Sequence, residues 1–245
     1  MKRWRIATGI VMWLYIGSHM INHSLGLISL HVAEQGLRIM VSVVHWLPIT
    51  ILLYGAFAVH LVLAILGLLQ RRSLRMPAID AIRICLGLGF PLLLIGHVFS
   101  TRVIYEWYQL PPEYSRVVAG LIASGSEGRQ LALLAPGWLH GCLGLDMSLR
   151  RRPYLLWWRR LFIVLAILLP ILAGAGYLTM ESEVSKLLGD SSWRINTLKH
   201  LSLEQRDTLI ARRETVLWGY IGAIALAVCV PIIVRRARRF RVDGN

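Results

Sequence analysis

Five histidines lie inside stretches that otherwise carry almost no charge: His19 and His23 within residues 13–23, then His60, His97 and His140. Imidazole is both a proton acceptor near neutral pH and a common metal ligand. In hydrocarbon it is costly, so a histidine there marks a functional site by default. Counting from His19, the spacings are 41, 37 and 43 residues, which puts one histidine in each successive apolar segment. A single deep histidine can serve a hydrogen bond between helices. Four on successive segments call for a common cause.

The segments that must position them have the length of membrane spans. About 20 apolar residues cross a bilayer as a helix, and six stretches qualify: 6–30, 44–69, 78–100, 131–149, 154–178 and 216–234. The chain is 56% hydrophobic with a mean hydropathy of +0.58, against roughly 45–50% apolar for a soluble domain. The runs are continuously apolar, which opposes the alternation of a membrane β-barrel. The expected fold is therefore all-α and integral to the membrane. A basic N-terminus before the first run imitates a signal peptide, but the run is long and lacks a small-residue cleavage site, so it reads as a retained span.

The net charge of +14 does not point to nucleic acid, because the basic residues cluster just outside the apolar runs. Residues 2–5, 71–75, 150–160 and 235–241 hold 16 of the 27 lysines and arginines. The intervening connections hold fewer, diluted by acidic residues. The positive-inside rule places both termini in the cytoplasm, with loops 101–130 and 180–213 outside. Pro111 and Pro112 end any helix that continues from the third span. Ser202-Leu203-Glu204-Gln205 has the form of a capping box opening a helix toward the sixth span. Cys85, Cys142 and Cys229 form no CxxC pair and read as packing residues.

A short repeat fixes relative depth. Leu63, Ile65, Leu69, Arg71 and Arg72 follow His60 at the same offsets as Leu143, Leu145, Leu149, Arg151 and Arg152 follow His140. At 1.5 Å per residue each imidazole lies roughly 16 Å from its basic cluster. In an up-down bundle the second and fourth helices are parallel and diagonal, as are the first and third. His60 and His140 then face each other across the core, and His97 faces His19 or His23 nearer the outer side. Opposed imidazoles suit a flat ligand held from both faces, a bis-imidazole haem foremost. Gly17, Ser18, Gly26, Gly55, Gly87, Gly89, Gly96, Gly141 and Gly144 are small enough to lie against a macrocycle, though small residues also serve plain helix packing. A zinc or copper cage lacks acidic or thiolate partners, and a proton relay lacks intramembrane carboxylates; Asp80 and Asp146 sit near the cytoplasmic ends, beside Arg83 and Arg150.

The motifs Ser18-His19-Met20, Val59-His60-Leu61, Gly96-His97-Val98-Phe99-Ser100-Thr101-Arg102 and Trp138-Leu139-His140-Gly141 resemble the ligand-bearing helices of di-haem cytochrome b anchors of succinate dehydrogenases and fumarate reductases. His45-Trp46 has a counterpart there too. Over nearly the whole chain, Asn22-His23-Ser24-Leu25-Gly26-Leu27, Arg71-Arg72-Ser73-Leu74-Arg75-Met76-Pro77 and Trp138-Leu139-His140-Gly141-Cys142 resemble the N-terminal membrane domain of certain bacterial class III adenylate cyclases. That resemblance implies a bacterial inner-membrane redox sensor with two haem b groups. Quinone or quinol sets the haem state, and a fused cyclase, dimeric because its active sites span two catalytic domains, reads it. The chain itself carries no catalytic motif.

The resemblance aligns His19 with the first ligand, leaving His23 as an alternative or a pocket residue. The expected ligands are His19 and His97 for the outer haem, His60 and His140 for the inner. Arginine forks onto carboxylates, which makes Arg71, Arg72, Arg75 and Arg102 propionate candidates. His31, Arg38, His45 and Tyr105 are candidates for a quinone site on the outer side. The rival readings are an electron-transfer anchor of a quinone oxidoreductase and a haem-free receptor or scaffold.

Overall fold

A backbone in hydrocarbon must satisfy its own hydrogen bonds, and helices do this within one segment. The computed structural model describes residues 1–71, 73, 75–149, 156–198 and 201–243, with the side chains of 149, 156–158, 232 and 234–243 excepted. Among these residues there is no strand. The helices in chain order are α1 (Lys2–Ser24), α2 (Leu30–His45), α3 (Leu47–Leu69), α4 (Ala78–Val98), α5 (Ile104–Tyr108), α6 (Tyr114–Ser124), α7 (Glu127–Leu149), α8 (Leu156–Leu187), α9 (Ser191–Thr197) and α10 (Leu203–Asp243). A π turn, Phe99–Val103, joins α4 to α5 without a break.

Among the described residues, four helices are long and apolar enough to cross a membrane: Leu47–Leu69, Ala78–Tyr108, Arg159–Leu187 and Leu203–Pro231. That is the pattern of a membrane-embedded protein. They correspond to the second, third, fifth and sixth expected spans. The first and fourth, α1 and α7, have the length at 23 residues each but are less apolar. The reason lies in their surroundings. α1 packs on α3, α7 and α8, and α7 also packs on α4. A helix enclosed by protein can carry polar groups that a lipid-facing one cannot, and α1 buries Thr8, Asn22 and His23 while α7 buries Gln130 and Asp146.

α8 ties two cores together. Toward the α1–α7 side it packs Ala173 against Met20, Trp138 and Cys142, where Trp13 and Trp138 stack with centroids 5.1 Å apart. Further along, Tyr177, Met180 and Val184 meet Leu30, Ala33 and Leu37 of α2 and Tyr114 and Val118 of α6. Between these cores the backbones of Gly26 and Gly176 touch: a Cβ on Gly26 would lie 2.5 Å from the Gly176 carbonyl oxygen. Gly26 is therefore a helix-crossing residue and does not face the bundle centre.

The expected connections are more helical than their composition suggests. Residues 31–43 form most of α2, and much of 101–130 and 180–213 is helix rather than loop. In α2 the buried Leu30, Ala33 and Leu37 recur at helical spacing, and Ser29 Oγ accepts the Val32 N–H as an N-cap. The segment is amphipathic and, at 16 residues, too short for a span. The proline break occurs as expected: α5 ends at Tyr108, and Gln109 takes a positive φ of 56°. The capping box also forms, with Gln205 N–H donating to Ser202 Oγ (3.2 Å) and Ser202 N–H to Gln205 Oε1 (2.9 Å). α10 then runs unbroken into the sixth apolar segment.

Candidate functional site

The bundle brings the histidines together in two pairs. His60 on α3 and His140 on α7 have ring centroids 6.0 Å apart with planes at 84°. His19 on α1 and His97 on α4 have centroids 5.8 Å apart with planes at 63°. Two imidazoles bonded through nitrogen to opposite sides of one metal, at about 2 Å per bond, hold their ring centres about 6 Å apart. Both pairs meet that spacing, and each joins the helices that the depth argument made diagonal.

The outer ring nitrogens strengthen the case. His140 Nδ1 donates to the Arg83 carbonyl oxygen at 2.8 Å. His60 Nδ1 lies 3.1 Å from Thr8 Oγ1, whose own proton goes to the Trp4 carbonyl at 2.7 Å, so the hydroxyl oxygen accepts from the imidazole. His97 Nδ1 is 3.4 Å from Gln130 Oε1, also an acceptor. With Nδ1 protonated and engaged, each Nε2 keeps its lone pair for a metal. His19 differs. Its Nε2 is 3.3 Å from His23 Nε2, and the Nδ1 atoms of both rings are buried with no partner among the described residues. The pair is thus the unsatisfied corner of the site. His23 sits edge-on to His19 at 4.7 Å and to Tyr114 at 5.2 Å, one turn beyond the ring that His97 meets.

A cavity of about 90 Å³ adjoins the outer pair, lined by Tyr15, Tyr54, His45, Thr101, Arg102 and Tyr177 among others. A macrocycle is larger, so its admission requires lining side chains to turn outward. The π turn directly after His97 delivers Thr101 and Arg102 to this cavity; such turns are frequent at functional sites. Arg102 pairs with Glu106 at 2.8 Å, lies 5.9 Å over the Tyr54 ring and keeps Nη1 buried with no partner among the described residues, which leaves a donor for a carboxylate.

The other expected residues divide. His45 and Tyr105 come together, rings 4.6 Å apart, and His45 borders the cavity; its burial and the Arg102 charge hold its pKa below the usual imidazole range. His31 and Arg38 are exposed on α2, with His31 bonded to Gln35. Arg71 donates to the Met76 sulfur at 3.5 Å and Arg75 is exposed; Arg72, like Arg151 and Arg152 of the repeat, lies outside the described residues. The arginines whose charge reaches the inner pair are Arg5, acting on His60, and Arg83, acting on His140. Arg83 bonds Asp80 at 3.2 Å and has a buried Nε with no partner among the described residues. Asp146 takes Arg159 at 2.6 Å.

Sequence reasoning passed over Arg5, Thr8, Arg83 and Gln130. A signal for two of them existed: Arg5 precedes His19 by 14 residues, as Arg83 precedes His97, so both lie at the inner depth. Thr8 and Gln130 left only the trace of a polar residue in an apolar run. The glycines split as well. A Cβ on Gly87 would lie 2.5 Å from the His140 ring, and one on Gly9 3.4 Å from the His60 ring. Gly17 and Gly141 receive Trp138 and Trp13, whereas Gly55, Gly89 and Gly144 face open space.

No group of three or more His, Cys, Asp or Glu suited to a bare metal ion occurs among the described residues. A haem iron needs only two protein ligands, because the macrocycle supplies four. The donor type and spacing of the two imidazole pairs suit ligation of a haem iron, and three of the four rings carry an acceptor on Nδ1. Comparison of the chain with protein-family models, with curated proteins and with solved structures finds no significant match.

Proposed function

We propose that this chain is a membrane-embedded di-haem b cytochrome domain that senses quinone or quinol and controls a C-terminally fused adenylate cyclase. The observation that carries the haem reading is the pair of imidazole contacts, 6.0 and 5.8 Å between centroids, on four helices of one bundle. The sensor assignment rests on the resemblance of residues 22–27, 71–77 and 138–142 to cyclase membrane domains. In this reading six helices span the bacterial inner membrane, α1 and α7 among them, with both termini cytoplasmic, and the cyclase brings two copies together.

When bound, each haem supplies a one-electron couple. The protein's own residues do the rest. His60 with His140 would hold one haem, and His19 with His97 the other. Thr8, the Arg83 carbonyl and Gln130 orient three of those rings. Arg102 would serve the propionates of the outer haem, and Arg5 and Arg83, beside His60 and His140, would set the charge around the inner one. The cavity bordered by His45, Tyr54 and Arg102, with Tyr105 packed on the far side of the His45 ring, offers apolar walls and a few polar groups, the usual form of a small-molecule site, and is where a quinone docks. α10 packs on α3 and α4, with Tyr220 OH donating to the Leu88 carbonyl at 2.8 Å. The helix continuing toward the cytoplasm thus touches two ligand-bearing helices.

The test is an absorption spectrum of the purified protein made with ample haem supply. Reduced-minus-oxidised b-type bands and two haems per chain are expected; a colourless, folded protein would favour the haem-free scaffold. The gene context decides between sensor and respiratory anchor: a continuous cyclase reading frame supports the former, adjacent flavoprotein and iron–sulfur genes the latter.

A further inference from the structure

The three engaged Nδ1 atoms share a pattern. His60 belongs to the inner pair, yet its partner, Thr8, stands on α1, which carries His19 of the outer pair. His140, also inner, is bonded by the Arg83 carbonyl of α4, which carries His97. In return, the outer His97 meets Gln130 on α7, which carries the inner His140. Each oriented ligand is therefore held by a helix belonging to the other pair.

We propose that Thr8 and Gln130 are positioning residues that tune the two haems reciprocally, Thr8 acting on the inner haem through His60 and Gln130 on the outer haem through His97. The proposal rests on the di-haem reading above. Thr8 and Gln130 are 8% and 9% exposed, so neither is a solvated side chain that happens to lie nearby. The Thr8 hydroxyl spends its proton on Trp4, which leaves its oxygen an obligate acceptor toward the imidazole. Gln130 presents its carbonyl oxygen to His97. Both acceptors are neutral. A neutral acceptor fixes ring orientation and tautomer while drawing the Nδ1 proton only weakly. The imidazoles therefore stay less electron-rich than beside a carboxylate, which favours ferrous iron. Ligand hydrogen bonding is one of the levers by which a protein sets a haem potential.

The experiment is a spectroelectrochemical titration of the full chain in detergent or nanodiscs, with haem counted per chain, on the parent protein and on Thr8→Val, Thr8→Ser, Gln130→Glu and Gln130→Leu. Thr8→Val keeps the shape but removes the side-chain acceptor, leaving His60 only the Arg5 backbone. It should raise the inner haem's midpoint by at least a threefold change in the oxidised-to-reduced ratio, about 28 mV for a one-electron couple, and leave the outer haem within half of that. Thr8→Ser should restore the parent value. Gln130→Glu should lower the outer midpoint alone, and Gln130→Leu should raise it. The inner haem is identified by its loss in His60→Ala.

Unchanged midpoints in Thr8→Val and Gln130→Leu, with both haems retained, overturn the proposal and leave the di-haem reading intact. Equal shifts of both haems in every variant also overturn it, as a general loosening of the bundle. Absence of haem from the parent protein sinks both readings together. Should Thr8→Val fail to fold, the opposite shifts in Gln130→Glu and Gln130→Leu still decide the claim: their absence overturns it.

Discussion

Gly87 on α4 faces His140 on α7 so closely that a methyl group built on it would lie 2.5 Å from the ring. Ring and backbone cannot both stay in place, because contacts that short do not occur. Gly87→Ala should therefore tilt His140 off the His60 axis and break its bond to the Arg83 carbonyl. The expected outcome is loss of one haem of two, read by haem counting and by disappearance of the inner component in a redox titration. Gly219→Ala on α10, where nothing lies within 4 Å, is the control and should retain both.

The pairing can be checked residue by residue. His60→Ala and His140→Ala should remove the same haem, and His19→Ala and His97→Ala the other. His23→Ala should keep both, since the His19 ring is the one held edge-on to His97 with centroids 5.8 Å apart. Loss of the outer haem in His23→Ala with its retention in His19→Ala would reverse the assignment within α1.

The arginines offer a contrast between sequence expectation and placement. Arg5→Gln and Arg83→Gln remove positive charge beside the inner pair and should lower that haem's midpoint, because a nearby cation favours the reduced state. Arg71→Gln and Arg75→Gln, whose described surroundings include neither inner histidine, should leave it unchanged. Potentiometric titration of the four variants separates the two sets.

The outer end depends on a buried polar bond. Asn22 Nδ2 donates to the Tyr114 hydroxyl at 2.8 Å, with the residues 4% and 5% exposed. Tyr114→Phe leaves a buried donor without its main acceptor, which costs about 1–2 kcal/mol. Gly26→Ala drives a methyl group into the Gly176 backbone and Met180, an overpacking worth about 1–3 kcal/mol. Both should lower the thermal midpoint in detergent, Gly26→Ala the more, because backbone cannot move aside.

Much of this was readable before any fold was in hand. Long apolar runs demand helices, and equal offsets from His60 and His140 to their basic clusters set the two rings at one depth, because helical rise is constant. Composition falls short where segments are amphipathic or enclosed: the stretches that form α2 and α6 read as connections, and α1 and α7 are less apolar than the other spans because protein surrounds them.

Which side chain meets which across the bundle was settled only by tertiary structure. The sequence by itself determined that five histidines lie deep and that four share one logic of spacing. It could not show that His97 meets His19 before His23, that Thr8, the Arg83 carbonyl and Gln130 orient their neighbours, or that Gly26 serves a helix crossing and Gly87 a ring. Those facts depend on helix rotation and crossing. A rotation of one residue, 100° about a helix axis, leaves every spacing in the sequence unchanged and turns each of these side chains away from its partner.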